Sequence, residues 1–381
     1  YSNIDFLIFP RVSDDKNPMH RLWTDGTWIK AYLAHGCYWH KCAFCDTKLD
    51  YVCSYKPIDA EQLYKKLYQL SNEKGLNGIH FVDEAMPPKM LKQFALLNAQ
   101  NQNKLYFWGN IRFEKTFNKD LAVFLSYCGL GAVSAGIEVA TEVGLKNINK
   151  GTDIDTIVSA CAAFKEAGIL VHSYMIFGFW YDTPQSIIDS METLRQFFSA
   201  GLLDSAFWHQ FMLTKNSELY EKLKDNWKGG KEFEKFTYPL ETALSYWMKG
   251  EQLNKKVQKW FDFTVPSPTV PQNYIEKSIE IYEKRNKIHN NNFDNLEGLF
   301  WLGSRPLLTK DKNRIKITWF SLMEEEIEFL REDQLFICDL LWSLKPDGLI
   351  ENRSKTLDYL TKNMNTVEIL KRFRERGLVL I

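Results

Sequence analysis

Short apolar runs alternate with amphipathic stretches from about residue 28 to residue 225. Six of the runs have the length of buried strands, namely WIKAYLA, GIHFVD, KLYFWGNIRF, GAVSAGIEV, ILVHSYMIFGF and DSAFWHQFML. The stretches between them have helical spacing, and several, such as DAEQLYKKLYQLSNEKG, end at a glycine that suits a left-handed cap. Strands alternating with helices predict parallel pairing through right-handed crossovers. We therefore expect an α/β fold over residues 28–225, a partial (β/α)6 barrel of the TIM type.

The pattern changes twice after residue 225. Residues 226–297 read as an irregular connector with helices, including the charged stretch IEKSIEIYEKRNKIHN. From residue 298, two strand-like runs, RIKITWFSL and EEEIEFL, precede the helical stretches DQLFICDLLWSL, KTLDYLTKN and TVEILKRFRERG and a last strand, LVLI. This order predicts a small winged-helix-like α+β domain over residues 298–381. Residues 1–27 are expected to form an N-terminal linker segment.

Composition and charge narrow the classes of partner. The 48 basic residues balance the 48 acidic residues, which argues against nucleic acid or an anionic membrane as the main partner. Seven irregularly spaced cysteines do not suit a secreted disulfide framework, so a reducing, cytoplasmic compartment is expected. No apolar run approaches the length of a membrane span and no signal peptide is visible. We therefore expect no membrane contact.

The stretch HGCYWHKCAFCDT carries the most specific chemistry in the chain. It places Cys37, Cys42 and Cys45 within nine positions, directly after the run WIKAYLA. Ligands of parallel α/β folds bind at the carboxyl ends of the strands, so these thiols are expected at the functional end of the barrel. Three close thiolates indicate a metal centre.

Three kinds of centre use thiols at such spacings: a structural zinc site, a redox cysteine pair and an iron–sulfur cluster. A structural zinc site would need a fourth ligand from Cys53, His35 or His40, but zinc knuckles commonly use two cysteine pairs and only one is present. A redox Cys-x-x-Cys pair leaves Cys37 unexplained. A 4Fe–4S cluster held by three cysteines keeps one iron open, as a reactive centre requires. The third reading explains all three thiols.

The three cysteines resemble the signature of the radical S-adenosylmethionine (radical SAM) superfamily. The resemblance implies a 4Fe–4S cluster on Cys37, Cys42 and Cys45, whose open iron is chelated by S-adenosylmethionine. It also implies reductive cleavage of that cofactor to a 5′-deoxyadenosyl radical, and a place beside the adenine for Phe44. The commonest spacing in the family has three residues between the first two cysteines, whereas CYWHKC has four.

Further residues along the predicted barrel fit this resemblance. HFVDEAMPP ends the second strand, where the family contacts the methionine amino group, although helix capping or a solvated turn would also use such carboxylates. Period-two alternation in YFWGNIRF puts Trp108, Asn110 and Arg112 on one face, and a buried arginine needs an anionic partner. That partner is either the methionine carboxylate or an acidic side chain. The cofactor-binding candidates are Phe44, Asp83, Glu84, Asn110, Arg112, Glu138, Lys150 and Gly178.

Three of these candidates come from the later strands. Glu138 ends the fourth strand, where the family contacts the ribose hydroxyls. Lys150 follows in NINKGT as a candidate for the cofactor carboxylate, with a solvated lysine at a helix end as the alternative. Gly178 lies in SYMIFGFWYDTP, which resembles the family's fifth-strand motif, with Trp180 where proline is usual and Asp182 where glutamate is usual.

The resemblance extends to a branch that often carries a cobalamin-binding domain and modifies peptides or natural products, in some members by methylation. YSNIDFLIFP resembles the linker that follows such a domain, so cobalamin is implied although its domain is not within residues 1–381. The C-terminal unit resembles peptide-recognition domains, with packing or dimerisation as its alternative role. A peptide or small-molecule substrate and a reductase or flavodoxin-type electron donor are the implied partners.

Substrate contacts are predicted where the fifth and sixth strands end. Tyr174, His209 and Gln210 would reach the barrel mouth if the registers are as read, where close positioning and exclusion of water favour radical transfer. The alternative is that His209 is hydrogen-bonded within the core. Two other functions stay open on the sequence alone: an RNA-modifying radical SAM enzyme and a zinc-stapled interaction protein.

Overall fold

The main sheet has six parallel strands in the order β1-β4-β5-β6-β7-β8, as the alternating pattern predicts. The computed structural model describes residues 28–102, 104–227, 229–237, 240, 266–289, 293, 295–321 and 324–381. The sheet strands are β1 (Ile29–Ala31), β4 (Gly78–Phe81), β5 (Tyr106–Ile111), β6 (Leu130–Glu138), β7 (Leu170–Phe177) and β8 (Ser205–Gln210). Two short strands, β2 (Ala34–His35) and β3 (Lys56–Pro57), form a separate antiparallel pair.

Helices connect consecutive strands of the sheet, and one short helix, the last of those that follow, comes after β8. They are α1 (Asp50–Cys53), α2 (Ala60–Lys74), α3 (Pro88–Gln100), α4 (Lys119–Tyr127), α5 (Glu142–Asn147), α6 (Ile154–Glu166), α7 (Pro184–Ser199) and α8 (Tyr220–Leu223). Several begin where the sequence supplies a side-chain cap: Asp59, Asn118 and Asp153 each accept a hydrogen bond from the backbone N–H three residues on. The partial TIM-type barrel is confirmed.

The two faces of the sheet differ in chemistry. The face toward the helices is packed with aromatic and aliphatic side chains, including Phe81, Phe94 and Phe107, whose rings meet edge to face. The barrel interior carries polar groups: His172 is fully buried and its Nδ1 lies 2.8 Å from the Ser205 hydroxyl. The apolar outer layer supplies most of the stabilising burial, and the interior is left for polar chemistry.

The C-terminal unit is an α+β domain built on a three-stranded antiparallel sheet, β10-β11-β12. Its elements are β9 (Leu299–Trp301), β10 (Leu307–Asp311), β11 (Arg314–Phe320), β12 (Glu325–Leu330), α10 (Phe336–Ser343), α11 (Ile350–Lys362), α12 (Met364–Leu370) and β13 (Leu378–Leu380). Trp301 and Trp319 are fully buried between the sheet and the helices. The winged-helix-like order of strands before helices is confirmed, and the structure adds β9 and β10.

A buried ion pair attaches this domain to the barrel. Arg374 Nη2 lies 2.6 Å from Asp120 Oδ2 on α4, and both side chains are almost wholly buried. Phe300 of β9 packs against Phe124 of the same helix, with ring centroids 5.1 Å apart. The contact explains why the first turn of α4 contains a buried aspartate, Asp120.

The connecting segment is described in parts. It contains a 3-10 helix over Lys231–Phe236 and α9 (Tyr274–His289), the helix predicted from IEKSIEIYEKRNKIHN. The predicted linker over residues 1–27, and the stretch WFDFTV before residue 266, lie outside the described residues. Within the described part of the chain, no helix has the length and apolar character needed to cross a membrane.

Candidate functional site

A cavity of about 370 Å³ opens at the carboxyl ends of the strands, and all three predicted cluster thiols line it. Cys37, Cys42 and Cys45 share this wall with residues from β5, β6 and β7. The volume lies within the range of small-molecule sites. The residues that form the wall and were predicted from the sequence are Cys37, Cys42, Phe44, Cys45, Glu84, Asn110, Arg112, Glu138, Lys150 and Tyr174.

The cysteine loop is held in place by its own backbone. Gly36 has φ 75°, and an added Cβ there would come 2.7 Å from the Ser54 carbonyl oxygen. Only glycine therefore lets the chain turn out of β2 beside α1. The Cys37 N–H donates to the Val52 carbonyl at 2.9 Å, and Ala43 N–H donates to the Ile148 carbonyl at 2.9 Å. These bonds tie both ends of the loop to the barrel rim.

Cations beside Cys42 favour the thiolate form that binds iron. The Cys45 thiol donates a hydrogen bond to Cys42, and Lys150 and Arg112 add positive charge, so the pKa of Cys42 falls to about 6. The same hydrogen bond raises the pKa of Cys45, which holds the shared proton. A thiol whose pKa is lowered to this value is ionised at neutral pH. The donor set therefore fits an iron–sulfur cluster.

The geometry of the described residues differs from that of a single-ion site. Among them, no group of three or more His, Cys, Asp or Glu side chains surrounds one point closely enough to hold a lone metal ion. Thiolates on different irons of a cluster do not need one common centre. Cys53, the fourth ligand in the zinc reading, is exposed at the end of α1 and is not part of the cavity wall.

Glu138 and Lys150 form a buried ion pair on the opposite wall. Lys150 Nζ lies 2.8 Å from Glu138 Oε1, and the two side chains are 8% and 11% exposed. Glu138 follows a bulge at the end of β6 and has φ 66°, which turns its carboxylate toward the cavity. Burial favours a neutral amine at Lys150, but the Glu138 carboxylate outweighs it and raises the pKa of Lys150.

Arg112 is buried just beyond the end of β5, and an acidic side chain is its anionic partner. Its Nε donates to Glu114 Oε1 at 3.0 Å, and its Nη2 donates to the Lys150 carbonyl at 2.7 Å. Its Nη1 lies 3.8 Å from Cys42 Sγ. Of the two partners expected from the sequence, the structure supplies the carboxylate of Glu114.

The predicted residues of the second strand divide between two places. Glu84 lines the cavity, whereas Asp83 is buried behind it and is absent from the cavity wall. The Asp83 carboxylate accepts backbone hydrogen bonds from Leu33 at 3.0 Å and from Ala34 at 2.9 Å. Its burial raises its pKa to about 6. Asn110 lines the cavity and donates to the Asp83 carbonyl at 3.1 Å. Asp83 therefore links the ends of β1, β4 and β5 through hydrogen bonds.

Phe44 and Gly178 occupy different surroundings. Phe44 lines the cavity, packs 5.9 Å from the Phe179 ring and lies 6.0 Å from Lys150 Nζ. Gly178 is absent from the cavity wall; it has φ 84° and its N–H donates to Asp182 Oδ2 at 2.8 Å. Asp182, at the glutamate position of the resembled motif, thereby closes the turn after β7.

The three predicted substrate residues do not gather at one place. Tyr174 lines the cavity, and the exposed His209 ring lies 6.2 Å from it on the same face of the sheet. Gln210 pairs with Phe177, whose side chain belongs to the outer core, and donates to the Gly230 carbonyl at 3.4 Å. Period-two alternation therefore puts Gln210 on the opposite face from His209. His209 is not buried in the core, so the alternative weighed for it does not hold.

A group of aromatic and charged side chains beside the cysteines was not predicted from the sequence. Trp39 stacks on the Arg112 guanidinium at 4.5 Å, and Tyr38 donates to Glu114 Oε1 at 2.9 Å. Trp39 and Tyr38 stand inside the lengthened CYWHKC spacer, which was the one available signal. Other cavity residues not predicted from the sequence include Asp46, Tyr51, Val52 and Thr214, and His40, considered only as a zinc ligand, also lines the cavity.

Fold and cavity together define an α/β-barrel protein with a three-thiol centre at the carboxyl ends of its strands. Residues 32–194 match the family model of the Radical SAM superfamily. Its members are enzymes that bind a 4Fe–4S cluster and S-adenosylmethionine, for which the thiols and paired charges of the cavity provide suitable groups. The matched residues include the three thiols and the Glu138–Lys150 pair.

Among curated proteins, the chain is similar to an uncharacterized methyltransferase of Pyrococcus horikoshii, with 25% identity over 187 residues. The match covers 49% of this chain and 40% of the relative, so the chain spans well under two thirds of that protein.

Among solved structures, the chain is similar to the radical S-adenosylmethionine methyltransferase TsrM from Kitasatospora setae, with a TM-score of 0.46 and 16% identity over 53% of this chain and 37% of that one. It is also similar to methylornithine synthase, with a TM-score of 0.42 and 12% identity over 68% of this chain and 82% of that one. Such distant similarity says nothing about substrate.

Proposed function

We propose that this chain methylates or otherwise modifies a peptide or natural product by radical chemistry, with cobalamin as a further cofactor. The observation that carries the proposal is that one and the same cavity is lined by the three thiols and by Glu138, Lys150 and Asn110. Methylation is supported by the name of the curated relative, which is a methyltransferase. Cobalamin is supported by the resemblance of the motifs, and an electron donor is required by the cofactor chemistry.

The cavity residues have separable roles in this proposal. The cluster, when bound, supplies one electron and an open iron. Cys37, Cys42 and Cys45 would hold the cluster, and Glu138 would accept hydrogen bonds from ribose hydroxyls while Lys150 faces the carboxylate of the same cofactor. Tyr174 lines the cavity and the His209 ring lies 6.2 Å from it, so these two residues would contact the substrate.

The C-terminal domain is proposed to bind the substrate peptide. Its sheet presents an outer face on which Phe320, Ile327 and Phe329 are each at least 39% exposed. In the antiparallel register, Thr318 lies opposite Ile327 and Lys316 opposite Phe329, so these side chains share one face. Exposed aromatic groups on a small sheet favour contact with a peptide.

Anaerobic reconstitution followed by iron, sulfide and 5′-deoxyadenosine assays tests the core of the proposal. The wild-type chain should bind about four irons and cleave S-adenosylmethionine under reduction. Changing Cys37, Cys42 or Cys45 to Ala should abolish both properties, and Cys53→Ala is the matched control that should retain both. If Cys53 proves as necessary as the other three, the three-thiol centre is wrong.

A further inference from the structure

Each of the three nitrogens of the Arg112 guanidinium already faces a protein atom. We infer that Arg112 is a positioning residue that holds the Cys42 thiolate and sets the reduction potential of the bound cluster. The inference rests on the proposed cluster site. It differs from the sequence prediction, in which Arg112 was a candidate for cofactor binding.

All three nitrogens of Arg112 point at protein atoms. Nε donates to Glu114 Oε1 at 3.0 Å, Nη2 donates to the Lys150 carbonyl at 2.7 Å, and Nη1 faces Cys42 Sγ at 3.8 Å. The side chain is 6% exposed, so a ligand in the cavity meets little of it. Because the guanidinium is planar, fixing two of its nitrogens also fixes the third, which is directed at the sulfur.

Neighbouring groups hold this orientation. The Trp39 ring covers the guanidinium at 4.5 Å, and its Nε1 donates to the Asn149 carbonyl at 3.3 Å. Glu114 is held in turn by the Tyr38 hydroxyl at 2.9 Å. A Cβ at Gly151 would come 2.0 Å from the Trp39 ring, so the glycine makes room for the indole. The extra length of the CYWHKC spacer is therefore occupied by the side chains that hold Arg112.

The charge beside the sulfur determines the expected effect. Reduction adds one electron to the cluster, taken from an external one-electron reductant, and makes the cluster more negative. A cation hydrogen-bonded to a ligating sulfur stabilises that reduced form and raises the reduction potential. Glu114 partly neutralises the cation and so opposes this effect. Arg112 and Glu114 should therefore act on the potential with opposite signs.

Two substitutions at this pair give the decisive comparison. Arg112→Gln removes the cation and should shift the potential to more negative values, while Glu114→Gln keeps an acceptor oxygen and should shift it to more positive values. The potential is measured by dye-mediated titration of the reconstituted protein, followed by electron paramagnetic resonance. Arg195→Gln, which breaks the buried pair with Glu192 on α7 outside the cavity, is the matched control and should leave the potential unchanged.

The outcomes separate this inference from the proposed function. A wild-type chain that binds no cluster contradicts the proposed function itself. If the wild type is loaded, shifts of the same sign in both variants, or none in either, contradict the role of Arg112. Weaker S-adenosylmethionine binding by Arg112→Gln at an unchanged potential would make Arg112 a cofactor ligand instead. If the Arg112→Gln variant binds no cluster, Glu114→Gln alone decides the question. A positive shift of its reduction potential supports the role of Arg112 in setting the potential, and an unchanged potential contradicts it.

Discussion

At the scale of single residues, the cavity owes its character to charges that are paired within the protein. Glu138 lies 2.8 Å from Lys150 and Glu114 lies 3.0 Å from Arg112, so each of these buried cations has a carboxylate partner. Unpaired charges in such a place would be costly. The hydrogen bond from Cys45 lowers the pKa of Cys42, and the paired cations Lys150 and Arg112 lower it further.

Changing Glu138 to Gln should weaken S-adenosylmethionine binding. A hydrogen bond to a charged group contributes about 1.5–3 kcal/mol, which corresponds to roughly a tenfold to hundredfold loss of affinity. Isothermal calorimetry on the reconstituted protein measures the change. Glu192→Gln, a buried carboxylate outside the cavity, is the control. Wild-type affinity in the Glu138 variant would contradict its role at the ribose.

Asp83 should make the stability of the protein depend on pH. Its folded pKa of about 6 lies above the ordinary 3.8 because burial disfavours the charged carboxylate. The folded state therefore binds a proton more tightly, and this group loses stabilising effect as pH rises from about 4 to about 6. Denaturation should show the wild type gaining about 2 kcal/mol relative to Asp83→Asn between pH 7 and pH 4. A difference that does not vary with pH would contradict the burial argument.

At the scale of elements, the buried pair between Arg374 and Asp120 joins the C-terminal domain to α4. Asp120→Ala should lower the free energy of unfolding by about 3–5 kcal/mol, because it leaves the arginine charged and buried without its carboxylate. Denaturant titration measures the loss. Breaking the exposed pair of Lys222 and Glu218 by Glu218→Ala should cost under about 1 kcal/mol. Equal effects of the two changes would show that the junction is not a stabilising contact.

The sequence predicted these elements where periodicity and burial agreed. All six barrel strands and the five longer helices between them follow apolar runs or amphipathic stretches, and β11 and β12 were found in the same way, whereas the short helices α1 and α5 were not predicted. β10 was missed because its two apolar residues, Leu307 and Leu308, are adjacent, so LLTKD lacks the alternation of a half-buried strand. Gln210 was put on the wrong face because a strand register cannot be read from composition. Glu114 escaped notice because its role depends on a partner in three dimensions.

At the scale of the whole molecule, the radical site and the proposed peptide-binding face belong to different units of one chain. Removing residues 298–381 would be a poor test, since it would expose Phe124 and leave Asp120 without Arg374. Surface substitutions are better matched. Phe320→Ser and Phe329→Ser should each reduce turnover of the peptide several-fold and leave cleavage of S-adenosylmethionine without substrate unchanged.

The readouts for this prediction are peptide modification by mass spectrometry and 5′-deoxyadenosine release by chromatography. Leu349→Ser, at an exposed apolar position just before α11 in the same domain, is the matched control. Full peptide turnover by both phenylalanine variants would rule out this face as the docking surface. A parallel loss of cofactor cleavage would point to damage in the barrel instead.

The pairing of β9 with β13 has a consequence for how such a chain could arise. The first and last strands of the C-terminal domain run side by side, and the Ile381 N–H donates to the Gly298 carbonyl at 3.0 Å. The first and last residues of the domain therefore lie next to each other. A unit with adjacent ends can be exchanged for another as a cassette by recombination, without rethreading the barrel beneath it. Recombination of this kind would join the same barrel to different C-terminal domains.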